Sequence, residues 1–270
     1  MKILVIGDAC TDVFVYGSCE RLSPEAPTAV LQPTEIVRNP GMAGNVESNI
    51  IALGHDPIMI SNMKSVGVSS SSQPLYEKSE IIKTRYVDKN SNYILLRVDE
   101  NDYVKQSCTV DVLTKAINYG SNNKGLDQFD LVVVADYNKG FLTETLMTYI
   151  FENSRCSFLD TKRKIGPWAE AVTYIKINDK EFQAYDHKDF LTSSTMKNKV
   201  IVTEGGNGCR ISDEYRYVNK VSIKDVAGAG DTFMAAVSTN FAESGDIFNA
   251  MEFANKCARQ VVQQKGVVTI

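Results

Sequence analysis

Short β-rich runs alternate with amphipathic helical stretches along most of this chain, and that alternation limits the possible folds more than any other feature. The strand candidates are residues 2–6, 58–61, 131–135, 156–159, 172–176, 199–203 and 209–211. The run Leu131-Val132-Val133-Val134-Ala135 is apolar throughout, as a strand covered on both faces is. Between the runs lie helical patterns. In residues 247–263, Ile247, Ala250, Met251, Ala254, Cys257, Ala258, Val261 and Val262 follow i, i+3, i+4, i+7 spacing, with Asp246 as N-cap and Gly266 just beyond. Residues 44–53 carry Val46, Ile50 and Leu53 on one face and stop at Gly54; residues 231–243 follow a glycine-rich turn. Strands separated by such helices predict an α/β fold with a mostly parallel sheet.

Two segments break the rhythm. Residues 12–38 and 81–98, the latter containing Tyr93-Ile94-Leu95-Leu96-Arg97-Val98, are extended with little helical pattern. They read as a small sheet inserted into the α/β body, a lid. Residues 65–73 read as a loop. No repeat or linker divides the 270 residues, so one domain over 1–270 is expected.

Composition excludes several classes. Lys plus Arg total 29 against 33 Asp plus Glu, so no cationic excess exists to neutralise a nucleic-acid backbone. The apolar runs fall far short of the roughly 20 residues of a membrane span. The opening Met1–Gly7 has a strand pattern and no cleavage signal, so a cytoplasmic location is expected. Six cysteines with no C-x-x-C spacing read as free thiols, and two histidines, His55 and His187, are too few for a histidine-rich zinc site.

The strongest chemical signal is Asp225-Val226-Ala227-Gly228-Ala229-Gly230-Asp231, opening a helix. The amides of Gly228, Ala229 and Gly230 with the helix N-terminus can cradle an anion, and Asp231 at the rim can take a proton from a hydroxyl. The same residues can equally form a glycine turn with an N-cap aspartate. Neither a Walker A loop nor a G-x-G-x-x-G fingerprint occurs. A second signal is Asn178-Asp179-Lys180-Glu181. Asn178 and Glu181 can gather a hydrated Mg²⁺, or they can form a capping box for a helix. Third, Pro40-Gly41-Met42-Ala43-Gly44-Asn45 allows close ligand approach, with Asn45 able to donate and accept toward sugar hydroxyls, or it is a capped turn. Asp8 and Asp12 follow the first strand, at the carboxyl edge where open α/β sheets bind ligands.

In their order along the chain, these segments resemble the ribokinase-like, PfkB-type carbohydrate kinases. Val5-Ile6-Gly7-Asp8 with Asp12, the Gly41 to Asn45 segment, Asn178 with Glu181, Val202–Gly208 and Gly228–Asp231 all fall in the family's order. Tyr16-Gly17, Arg21-Leu22-Ser23-Pro24-Glu25-Ala26-Pro27, Ala135–Gly140 and Phe253-Ala254-Asn255 are similar to the branch acting on heptose 7-phosphate. The resemblance implies a three-layer α/β/α kinase with a β-lid, using ATP and Mg²⁺ to phosphorylate a sugar, foremost D-glycero-D-manno-heptose 7-phosphate at its anomeric hydroxyl. It implies Asp231 as base and the Gly228–Gly230 amides as anion hole. Asn178 and Glu181 would organise Mg²⁺ through water, and Thr203, Gly205, Gly208 and Asn255 would hold the nucleotide. Asp12, Gly41 and Asn45 would hold the sugar, and Asp225 would lie near a monovalent-cation (K⁺) site. A homodimer paired through the lid is the implied assembly. A dianionic 7-phosphate needs cations, for which Lys83, Arg85, Arg97, Lys139 and Lys162 are the candidates.

The chain departs from the family at several points. Met42 replaces the second glycine of the sugar-contact pair, and Ala227 replaces a threonine. Asp160-Thr161-Lys162-Arg163 stands where Asp-Pro-Lys-Gly is usual, and the stretch from 62 to 80 is short. Relatives continue past the position of Ile270, and no His-x-Gly-His occurs, so a nucleotidyltransferase unit is not expected in this sequence. A different sugar or a nucleoside as acceptor, or a member that binds without catalysing, are the alternatives.

Overall fold

The computed structural model describes residues 1–63, 79–118, 125–185 and 188–270, with the side chains of 188 and 189 excepted. The expected loop at 65–73, most of the shortened 62–80 stretch and His187 lie outside the described residues.

The main sheet has eight strands. They are β1 (Ile3–Gly7), β4 (Ile58–Ser61), β7 (Leu131–Asp136), β8 (Ser157–Thr161), β9 (Tyr174–Asn178), β10 (Val200–Thr203), β11 (Cys209–Ile211) and β12 (Glu214–Arg216), in spatial order β12-β11-β10-β9-β8-β7-β1-β4. Pairing is parallel from β10 to β4 and antiparallel at the β11 and β12 end. Alternate residues of these strands enter two separate cores. Leu4, Ile6, Val132, Val134 and Leu159 pack with α2 (Val110–Asn118) and α3 (Glu144–Asn153). Ile3, Val5, Leu131, Val133 and Phe158 pack with α1 (Ala43–Ala52), α6 (Ala229–Ser244) and α7 (Ile247–Val261). Helices on both faces explain why the runs are apolar without alternation. This is the three-layer α/β/α arrangement.

The four-stranded lid sheet, ordered β3-β2-β5-β6, is built from β2 (Ala9–Leu22), β3 (Ala29–Met42), β5 (Ile81–Asp88) and β6 (Ile94–Glu100). It grows from the carboxyl edge of the main sheet, because β2 leaves one residue after β1 and β3 runs straight into α1. The expected strand at 172–176 lies two residues later, and Asn178 therefore ends β9 as the N-cap of α4 (Asp179–Ala184), which a short helix α5 (Lys188–Leu191) follows. The expected helix at 247–263 ends at Val261, and its cap is Asp246, which accepts from the amides of Phe248 and Asn249 at 2.9 and 3.1 Å. Short α2 and α3 are not marked by the alternation.

Candidate active site

At the carboxyl edge, three loops and the lid converge on Asp231. The turn before α6 puts Gly228 at φ 80° as the helix N-cap, so Asp231 lies in the first turn with its side chain free of capping duty. That corrects the alternative of Asp231 as a cap. A Cβ on Gly228 would sit 2.7 Å from Asn45 Nδ2, and one on Gly230 would sit 3.0 Å from Lys176 Nζ. The positive φ and the close approach make glycine the fitting residue at 228, while at 230 a side chain would have to displace the end of Lys176. The amide of Ala229 reaches back to the Val226 carbonyl at 3.3 Å.

Asp231 is buried and held on both oxygens. Tyr137 Oη donates to Oδ1 at 2.5 Å, and Asn45 Nδ2 donates to Oδ2 at 3.0 Å. Burial pushes the carboxyl up to about 6; the two hydrogen bonds and Lys176 pull it down, while Asp160 pushes it further up. A carboxylate with this poise at the rim of a cavity is suited to accept a proton near neutral pH.

That cavity, of about 410 Å³, is bounded by Asp231, Gly228 and Tyr137 on the body and by Asp12, Lys83, Arg85 and Arg97 on the lid, with Lys139 and Lys162 between. All five expected cations therefore face one space. They are not bare. Arg85 pairs with Asp12. Arg97 makes a two-point contact to Asp99 at 2.7 and 2.8 Å. Lys83 binds Asp99 at 3.1 Å and Asp102 at 2.7 Å, and Lys139 binds the other Asp102 oxygen at 2.5 Å. Lys162 pairs with Glu181 and lies 5.7 Å above the Tyr137 ring. Gly41 backs the cavity wall, where a Cβ would come within 2.2 Å of Asp12 Oδ2. Met42 lines the same space at φ 57°, ψ −127°, a backbone region glycine favours.

Asp8 is not a ligand-facing residue. It is fully buried and accepts the amides of Tyr137, Lys139 and Phe141 at 2.9, 3.1 and 3.2 Å. Burial, and secondarily Asp136, lift its carboxyl to about 6 against those amides. Its task is to hold the loop that delivers Tyr137 and Lys139.

The residues expected to hold the nucleotide are engaged mainly with backbone. Asn178 and Glu181 form the complete capping box of α4, with bonds of 2.9 and 3.0 Å, and the second Glu181 oxygen meets Lys162. Thr203 Oγ1 donates to the Ile177 carbonyl at 3.4 Å. Gly205 and Gly208 carry the turn after β10 at φ 56° and 104°, and Asn255 donates to the Arg216 carbonyl at 2.9 Å. None of Thr203, Gly205, Gly208 or Asn255 borders the Asp231 cavity. Asp225 accepts the amides of Ala227 and Gly266 at 2.9 and 3.1 Å, closing the loop before α6.

One buried ion pair belongs to none of the sequence motifs. Lys176 Nζ donates to Asp160 Oδ2 at 2.6 Å with both side chains 5% exposed, and Asp160 Oδ1 has no hydrogen-bond partner. The sequence signal was a lysine inside the apolar run Ile175-Lys176-Ile177. The chemistry of these donors fits a nucleotide with Mg²⁺. The ammonium and the glycine turn suit phosphate oxygens, while Asp160 Oδ1, 3.9 Å from Lys162 Nζ, and the Lys162-paired Glu181 carboxylate are hard oxygen donors of the kind a largely hydrated Mg²⁺ takes.

Residues 2–270 match the pattern of the pfkB family of carbohydrate kinases. The chain belongs to that family. It is a sugar kinase with a ribokinase-like fold. The bifunctional protein HldE of a Nitratiruptor species is 31% identical over 303 residues, covering 99% of this chain and 63% of that protein. The chain thus spans a little under two thirds of the length of the curated relatives it matches. Ribokinase from Thermotoga maritima superposes with a TM-score of 0.67 at 17% identity, over 98% of this chain and 94% of that one. Arabidopsis thaliana ribokinase, solved with ribose and ATP, gives 0.62 at 14% over 98% and 93%. Among the described residues no helix is long and apolar enough to cross a membrane.

Proposed function

We propose that this kinase transfers the γ-phosphoryl group of ATP to a phosphorylated sugar, foremost D-glycero-D-manno-heptose 7-phosphate at its anomeric hydroxyl. The observation that carries the reading is the convergence of Lys83, Arg85, Arg97, Lys139 and Lys162 on a cavity that Asp231 borders. Guanidinium and ammonium groups make their strongest hydrogen bonds to ionised oxygens, so a cluster of them suits a phosphorylated sugar better than a neutral one. The similarity of Arg21–Pro27 and Ala135–Gly140 to heptose 7-phosphate kinases supports the same acceptor.

In the proposed step the acceptor hydroxyl gives its proton to Asp231 as its oxygen bonds to the γ-phosphorus. The bond from that phosphorus to the β,γ-bridging oxygen breaks, and ADP leaves. Asp231 positions the hydroxyl in line, which with charge stabilisation supplies most of the acceleration in phosphoryl transfer. The amides of Gly228 and Gly230, with that of Ala229 turned back to Val226, and the Lys176 ammonium would face the transferring group. Asn178 and Glu181 would hold Mg²⁺ through water, which when bound neutralises phosphate charge. Thr203, Gly205, Gly208 and Asn255 are proposed to line the nucleotide's path, and Asp12, Gly41 and Asn45 the sugar's. Asp225 is proposed to stand beside a K⁺ site. The lid's outer face bears Ile36, Ile94 and Leu96, each more than half exposed; an apolar patch of this kind is suited to a second copy of the chain, and a homodimer of cytoplasmic kinases is the assembly proposed.

Incubation with ATP, Mg²⁺ and heptose 7-phosphate, beside fructose and ribose, tests this directly when products are identified by mass. A monophosphate-to-bisphosphate conversion far faster than either neutral sugar is expected. Equal or faster turnover of fructose or ribose would replace the reading with a neutral acceptor. One observation favours that second reading, namely that all five of these cations already have carboxylate partners.

A further inference from the structure

Tyr137 is not among the residues that the catalytic scheme above requires, yet it makes the shortest contact to the proposed base. It sits on the loop after β7, and its backbone amide is fixed by Asp8 at 2.9 Å. Its ring lies under Lys162, and its hydroxyl meets Asp231 Oδ1 at 2.5 Å. Asn45 takes the other oxygen from α1. Two donors from two different layers thus fix the plane of the carboxylate. Each oxygen keeps one further lone-pair direction for a hydroxyl in the cavity.

We propose that Tyr137 is a positioning residue for the base, holding Asp231 ionised and correctly turned before the acceptor arrives. This rests on Asp231 acting as base. A charge-assisted hydrogen bond is worth most where water is excluded, and Asp231 is buried. The competing fields around it are named groups. Asp160 opposes its ionisation and Lys176 favours it, both from the strands beneath α6. Lys162 and the Cys10 thiol interact with it from across the cavity. Against the desolvation that lifts the carboxyl to about 6, the Tyr137 bond is the largest opposing influence. Its own phenol is raised well above 10, first by burial and then by the Asp231 charge, so it stays protonated and can only donate or rotate.

The sign follows directly. Loss of the hydroxyl removes a donor to the ionised form, so the base becomes harder to ionise and its pKa rises. The working form of Asp231 is the anion, so the acidic limb of kcat/KM, expected near pH 6 in the native enzyme, moves upward in Tyr137→Phe. A shift of about one unit is expected, a roughly tenfold loss of ionised base below the limb. At pH 8.5 to 9 the ionised fractions converge and most of the rate returns. KM for ATP stays unchanged.

The test is the pH profile of kcat/KM for native enzyme and Tyr137→Phe, with the best acceptor of the mass-identified panel. Carboxyl carbon NMR of Asp231 in both proteins, without substrates, gives the second readout and is independent of turnover. An upward move of both the limb and the NMR titration by about one unit is the expected result. A rate lost equally at every pH, with the Asp231 titration unmoved, would overturn the proposal and leave Tyr137 as wall packing. Should Asp231→Asn retain native turnover, the base assignment itself fails. That outcome is distinct from an unmoved limb in an enzyme that still needs Asp231.

Discussion

The two halves of the site are built differently. Among the residues proposed for the acceptor, side chains answer one another across elements far apart in the chain: Asp231 meets Tyr137 and Asn45, Asp12 meets Arg85, and Asp102 joins Lys83 of the lid to Lys139 of the body. Among those proposed for the nucleotide, Asn178, Thr203 and Asn255 are engaged with backbone or a helix cap, and Glu181 caps α4 while its second oxygen meets Lys162. The first half is organised mainly by charge, the second mainly by secondary structure. A pocket held by charge pairs can exchange a resident carboxylate for a ligand's anion. A half made of turns and caps instead presents backbone to whatever binds it, whatever the side chains.

Changes on the charged half should therefore act on the acceptor and make both rate and stability depend on pH, and changes on the other half should act on stability at every pH. The largest effect expected on stability is a gain. Asp231 is lifted from 3.8 to about 6 by the fold, so its ionised form opposes folding by up to about 3 kcal/mol at 1.36 kcal/mol per unit. That cost is absent below about pH 4, grows between 4 and 6 and is full above 6. Asp231→Asn should raise the melting temperature by several degrees at pH 8, with the advantage gone at pH 4, as thermal scans at the two pH values would register. An unchanged or lower melting temperature at pH 8 would break the contrast.

Next comes Lys83→Met. Removing one of the paired ammonium groups should raise KM for a phosphorylated acceptor about tenfold, as expected for a lost charge-assisted contact, while KM for a neutral sugar and for ATP hold. Steady-state kinetics with the three substrates separate these cases, and an equal rise for all three would make Lys83 a structural residue only. The smallest effect falls on the other half. Asn178→Ala should cost about 1 kcal/mol through the lost cap of α4, a fall of a few degrees in melting temperature. Its acceptor KM should not move; a selective change there would mean the two halves are not separate.

How much of this was legible depends on how contacts are written in the chain. The parallel sheet was, because strands buried on both faces show as unbroken apolar runs such as Leu131–Ala135. The glycine turn with Asp231 and the lid cations were legible as short motifs in a recognisable order. What bound them together was not. Tyr137 is 94 positions from Asp231, and Asp8 is 129 from the Tyr137 amide it fixes. Asp8 itself looked like a ligand-facing residue because its position at a strand end is common to both roles. Asp102 reads as an ordinary surface acid until folding places two lysines on it. Asn178 and Glu181 carried two meanings in sequence, and the structure realises the capping box, with the second Glu181 oxygen on Lys162.

The claim on which everything turns is that Asp231 takes the acceptor's proton. Single-turnover phosphoryl transfer with Asp231→Asn, saturated with ATP, Mg²⁺ and acceptor at pH 8, measures this step alone. The account predicts a rate at least about 10³-fold below native, within the range of general-base catalysis, with ATP affinity unchanged. A transfer rate within a few-fold of native would contradict it.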